Sequence, residues 1–288
     1  MLASKLTPPP LFAIFEYTIS MQLLLESLIL FAFGACVGSF LNVLIYRTDK
    51  GEDWVRGRSH CENCDMQIRW FDNIPLLSYL ALRGRCRKCK KPISKAHPIV
   101  EGLIGVLFVW WWLLGSLFFQ LTAAPFIMIQ PFFWLIVGIL FIFILVEDFM
   151  SMYIPLWAMV GLAILAVAYR FALVLFDVMQ VQDLMATYIA AFLITAFFYA
   201  LYFGSKGRGM GLGDIILAFP IVILVGWPRA LVWLFLSFVL GAGVGIAMMI
   251  IGKAKMKQKI AFGPFMVAAT FLTLIWGEAI WQWYSRFL

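Results

Sequence analysis

Apolar and polar positions fall along this chain in long blocks, not in the short alternations of a soluble fold. No charged residue occurs from 27 to 46, and within that run Gly34, Gly38 and Ser39 are small enough for close helix packing in lipid. A second uncharged run, 102–146, is 45 residues long. Crossing the hydrocarbon layer takes about 20 residues, so this run predicts two helices. Pro125 and Pro131 place their turn within 120–131. Further apolar runs predict spans at 154–169, 184–203, 215–227, 230–251 and 261–283. The span at 215–227 is short and is ended by Pro228 and Arg229. The first span is expected to be entered near Ile19, and Glu16 and Glu26 do not make the basic start of a cleaved signal peptide.

The pattern therefore predicts an all-α polytopic membrane protein of about eight transmembrane helices. Residues 1–46 form an N-terminal segment and first helix, 47–97 a polar inserted module, and 98–288 a core of about seven helices. Composition agrees: of 288 residues, 64% are hydrophobic and 13% charged, with mean hydropathy +0.96. A soluble domain carries roughly 45–50% apolar and about 25% charged residues. Soluble enzymes, nucleic-acid readers and disordered scaffolds are poor fits, and no nucleic-acid partner is expected.

Charge fixes the orientation. Twelve of the 22 Lys and Arg lie in 47–95 with six acids, so this segment carries six of the seven net positive charges. Placing it in the cytoplasm also places 147–153, 204–213 and 252–259 there, and these four loops hold 18 of the 22. The far side keeps Lys5, Arg170, Arg229 and Arg286. Such a bias is the positive-inside rule, and it turns both termini outward. Lys253, Lys255, Lys257 and Lys259 adjoin a span end and read as an anchor.

Four of the five cysteines, Cys61, Cys64, Cys86 and Cys89, form two C-x2-C pairs separated by 21 residues. Four thiolates at this spacing suit a closed, structural zinc site. A reducing cytoplasmic loop favours metal over disulfides. Unmetallated turns and reversible disulfides are the other readings. Cys36, inside the first span, reads as a packing residue.

Acids at membrane edges are costly and so are functional candidates. Asp177, Asp183 and Glu278 fall toward the outer side, whereas Glu101, Glu147, Asp148 and Asp214 gather at cytoplasmic span ends. Asp214 follows alternating glycines, Gly209, Gly211 and Gly213, which permit close approach or positive φ. It could also cap the helix it opens. Asp148 is expected to open the fourth span, seven residues before Pro155. Two carboxylates at one depth suit acid–base hydrolysis, one activating water while the other protonates the leaving group. A transporter with paired acids, or caps without chemistry, fit the same residues.

The chain resembles the type IV prepilin leader peptidases, polytopic aspartyl proteases of type IV pilins and type II secretion pseudopilins. The resemblance rests on GSFLNVLIYR from Gly38 to Arg47, Ser59-His60-Cys61 with Cys64, DNIPLLS from Asp72 to Ser78, and GRCRKC from Gly84 to Cys89. It continues with Ile93 and Ser94, HPIVE from His97 to Glu101, GMGLGD from Gly209 to Asp214 and FGPF from Phe262 to Phe265. It implies that Asp148, in a D-x6-P segment, and Asp214, in the GxGD segment, are the catalytic aspartates. It implies cleavage after a glycine ending a short basic leader at the cytoplasmic face of the bacterial inner membrane. It further implies methylation of the new N-terminal residue from S-adenosylmethionine, with the four-cysteine loop holding zinc. Glu101 and that loop are associated with methyl transfer in the family. Met150 and Ile216 stand where the family often has an acid and a lysine, and Ala261 where it usually has proline. A transporter or a non-catalytic assembly partner of a secretion machine is the rival expectation.

Overall fold

The computed structural model describes residues 21–50, 53, 57–115, 121, 124–207, 210–252 and 261–287. The first twenty residues, Arg208, Gly209 and the lysines at 253–259 lie outside the described residues. Among the described residues the chain forms α1 Met21–Lys50, α2 Leu77–Ala81, α3 Ala96–Leu114, α4 Phe126–Ser151, α5 Leu156–Leu175, α6 Val181–Gly204, α7 Leu212–Val225, α8 Arg229–Ile250 and α9 Gly263–Ser285. Seven of them, α1, α3 to α6, α8 and α9, are long and apolar enough to cross a membrane. The four-cysteine module, with α2 inside it, sits between α1 and α3. The expected architecture is found.

Helices α1 and α3 run antiparallel at very close range, because glycines face backbone. A Cβ at Gly34 would lie 2.8 Å from the Ile104 carbonyl oxygen, and one at Gly38 would lie 2.8 Å from Glu101 Cα. Gly105 answers from α3, where a Cβ would meet the Phe31 ring at 2.8 Å. Without a hydrophobic driving force between helices in lipid, such close van der Waals contact is what joins them. Leu107 of α3 packs over Gly138 of α4, and Trp111 Nε1 donates to the Pro131 carbonyl at 2.9 Å.

The remaining core is assembled around α7. This helix is only 14 residues long, and ten of them, Asp214, Ile215, Leu217, Ala218 and 220–225, are buried, chiefly against α5, α6 and α9. A helix apolar all round belongs inside protein. Trp233 and Met266 are fully buried beside it, and Trp233 Nε1 donates to the Met266 carbonyl at 3.0 Å.

Three boundaries depart from expectation. Pro131 lies inside α4 and not in a turn, since transmembrane helices tolerate proline where neighbours cover the freed backbone. Asp148 does not open the next span. It lies in the last turn of α4, which runs on to Ser151 and stops where Met152 turns left-handed (φ 54°) and Pro155 disfavours helix at Ile154. A charge-free run marks the apolar layer, and hydrogen bonding carries the helix past it. Arg170, expected just beyond a span, is inside α5 and buried.

Candidate active site and metal centre

Both C-x2-C turns fold alike. The Asp65 amide donates to Cys61 O and the Cys61 amide to Met66 O, each at 2.9 Å. In the second turn the Lys90 amide reaches Cys86 O at 3.1 Å and the Cys86 amide reaches Lys91 O at 2.9 Å. The residue after each second cysteine is left-handed, with φ 50° at Asp65 and 58° at Lys90. The chain thus doubles back twice and delivers all four Sγ to one place, within 4.8 Å of one another. Cys61 and Cys89 are 3.9 Å apart, and Cys64 and Cys86 4.0 Å. Tetrahedral zinc with bonds of about 2.3 Å asks for sulfurs about 3.8 Å apart, so this donor set fits. Amides of Cys89 and Lys88 hold the Cys86 thiol down to about 6, while burial pushes Cys61 up to about 11. A cation held by these sulfurs would offset the burial that opposes the Cys61 thiolate.

The module is tied to the helices below it. Arg47, at the end of α1, donates to Asp53 O at 3.1 Å and Gly57 O at 3.2 Å. Asp72 takes a two-pronged contact from Arg87 at 2.8 and 2.6 Å, and that guanidinium holds its carboxyl below the usual range. Glu101, buried in α3, accepts the Leu76 amide at 2.8 Å, and Asn42 Nδ2 of α1 donates to His97 O at 3.2 Å. Between module, α1 and α3 lies a cavity to which Ser39, Asn42, Glu62, Tyr79, His97 and Glu101 contribute. Glu101 therefore belongs to this cavity.

At the same end of the bundle, Asp148 from α4 and Asp214 from α7 come together. Both are buried, at 5% and 7% exposure, and their carboxyls are close enough to interact electrostatically. Glu147, one residue earlier, is only half-buried, so the register places Asp148 inward. The backbone amide of Gly263, first residue of α9, faces both carboxyls. No hydrogen bond closes on Asp148 Oδ2, which is buried without a partner. Asp214 is the third residue of α7, and its Oδ2 accepts the Gly211 amide at 3.1 Å, so it also caps the helix. Positive φ is used at Gly207 but at neither Gly211 nor Gly213. Gly213 instead admits Ile154, whose Cδ1 would be 3.4 Å from a Cβ there. Met150 and Ile216 are exposed and lie two residues past each aspartate, on the far side of their helices. Asp183 opens α6, and Glu278 pairs with Gln282 at 3.0 Å, each at the opposite end.

Two residues that complete this arrangement carry no acid or base and escape a search for chemistry. Gly263 was visible only as part of FGPF, and Ile154 only as the residue before Pro155.

Residues 32–114 match the bacterial Peptidase A24 N-terminal domain, and residues 134–246 match the type IV leader peptidase family. The prepilin leader peptidase/N-methyltransferase of Aeromonas hydrophila is 30% identical over 89% of this chain and 92% of its own length. That of Stutzerimonas stutzeri is 31% identical over 88% and 92%. The Myxococcus xanthus protein of the same name is 50% identical over a shorter stretch, 34% of this chain and 25% of its own. No solved structure matches. With both domains matched in order and relatives aligned over nearly the whole length, the chain belongs to the type IV leader peptidase family.

Proposed function

We propose that this chain cuts the short basic leader from type IV prepilins or type II secretion pseudopilins, using Asp148 and Asp214 as an aspartyl pair. The observation that carries the reading is the meeting of two buried carboxyls, from α4 and α7, at the amide end of α9. With one proton between them, the ionised carboxylate takes a proton from water as its oxygen adds to the scissile carbonyl carbon. The protonated partner gives its proton to the leaving nitrogen as the C–N bond breaks. The module and both carboxyls share one end of the bundle, and the excess of Lys and Arg in the loops there supports a cytoplasmic position for it. The hydrophobic pilin helix stays in lipid, leaving the leader at the site.

The names of the relatives support a second step here, N-methylation of the new terminal residue. S-adenosylmethionine, when bound, supplies an electrophilic methyl on a sulfonium. The cavity beneath the module suits it, with carboxylates of Glu62 and Glu101 for positive charge and the Tyr79 ring for stacking. Cys61, Cys64, Cys86 and Cys89 would hold zinc as a staple, with no open position for chemistry. A transporter reading finds less support. The buried hydroxyls of Ser237, Thr270 and Thr273 donate to carbonyls four residues back in their own helices, at 2.8, 2.8 and 2.7 Å.

Purified protein is expected to cleave a prepilin, and D148N and D214N each to abolish cleavage. A variant cutting at the wild-type rate removes its aspartate from the pair. Methyl transfer to a pre-cleaved pilin is expected to survive both substitutions.

A further inference from the structure

The FGPF segment opening α9 carries no acid or base, yet its glycine stands at the aspartates. A Cβ at Gly263 would lie 2.5 Å from Asp148 Oδ2, 3.2 Å from its Cγ and 3.3 Å from Ile154 Cδ1. The first of these is closer than real Cβ contacts come. Pro264 follows in the first turn of this 23-residue helix and has no N–H, so it adds no competing donor beside the Gly263 amide. Asp148 is 5% exposed, and its Oδ2 points to this spot without a hydrogen-bond partner. A buried carboxylate oxygen left bare is unfavourable.

We propose that Gly263 is a positioning residue of the peptidase site, its missing side chain being what lets Asp148 swing in beside Asp214. Its amide, at the positive end of α9, then faces the negative charge the pair shares. This rests on the reading of Asp148 and Asp214 as catalytic. An added methyl meets the tip of a flexible side chain and not backbone, so the carboxyl gives way while the fold holds. The substitution therefore separates geometry from stability.

The test is prepilin cleavage by G263A and by the double variant G263A/I154V, with G161A as control, since a Cβ at Gly161 meets nothing within 4 Å. A misplacement of about 1 Å costs on the order of 100-fold, so G263A is expected to lose about that factor in kcat. KM, helix content and metal content should stay as in wild type. Removing Ile154 Cδ1 gives the new methyl somewhere to go, so the double variant, set against I154V, is expected to recover about tenfold of the loss. If G263A cleaves at the wild-type rate while D148N is inactive, the inference falls and the aspartyl pair stands. If D148N is itself active, the pair falls and takes the inference with it. If G263A loses activity together with thermal stability and I154V rescues nothing, Gly263 is only a packing residue and the inference is overturned.

Discussion

Arg170 to methionine is the substitution that most directly tests how the central helix is held. The last carbonyls of α7 have no partner within the helix. Gly226 N–H serves Val222 O at 2.8 Å, and Arg170 of α5 serves the next two, with Nε at 2.7 Å from Ile223 O and Nη2 at 3.0 Å from Leu224 O. Methionine keeps the apolar stem and deletes the fork. Each buried carbonyl left unpaired costs about 1–3 kcal/mol, or roughly 2–6 for two. Releasing a guanidinium from burial returns part of this, so a net loss of about 2–4 kcal/mol is expected. R170K keeps the charge but not the fork and should fall between. Denaturant unfolding in detergent, followed by tryptophan fluorescence, reads the difference. G226A should destabilise too, because its Cβ would collide with the same guanidinium at a φ of +80°. Sharing one contact, the two substitutions should be less than additive. R170M within about 0.5 kcal/mol of wild type would refute the reasoning, since water would then be doing the work assigned to the guanidinium.

Metal analysis should find one zinc per chain, lost in C61S/C64S, and chelation should open the module to proteases at about the Cys61 and Cys86 turns; equal digestion with and without chelator contradicts this. G38V should separate α1 from α3, because the new side chain meets Glu101 backbone, with a Cβ 2.8 Å from its Cα. A loss of about 2 kcal/mol or more in thermal unfolding checks it, as overpacking against backbone has no easy relief. Asp72 is held below the ordinary carboxylate range by Arg87, so the pair's stabilisation is complete above that range and disappears as pH falls through the lowered value. Thermal midpoints of wild type and D72N should differ at neutral pH and converge below about pH 4; divergence toward acid would mean the sign is wrong.

Spans were legible in the sequence because lipid demands long uncharged runs, and the cysteine cluster because two C-x2-C turns at this spacing suit a four-thiolate site. Helix ends were less so. Glu147 and Asp148 interrupt the apolar run after Val146, yet α4 continues to Ser151, since backbone hydrogen bonding is indifferent to side-chain charge. The same reasoning cut the next span short and left Arg170 outside, where it looked like one of a few stray outer charges. Its partners are carbonyl oxygens 53 and 54 residues away, and no local pattern announces them. Asp214 could be singled out because buried acids are rare in such a chain. Gly263 could not, because its contribution is an absent side chain, visible only once Asp148 lies against it.

The brevity of α7 has a consequence for life in different bilayers. At 1.5 Å per residue its 14 residues span about 21 Å, well short of a hydrocarbon layer of about 30 Å. Most of this helix is covered by α5, α6 and α9, with Leu212 and Ile216 left exposed near its first turn. When a membrane thickens or thins, the outer helices answer by tilting. The level of Asp214 is set elsewhere, by Ile154 at one end and Arg170 at the other. Acyl-chain length can thus change how the spanning helices lean, α4 with Asp148 among them, while the level of Asp214 on the shielded α7 stays nearly fixed.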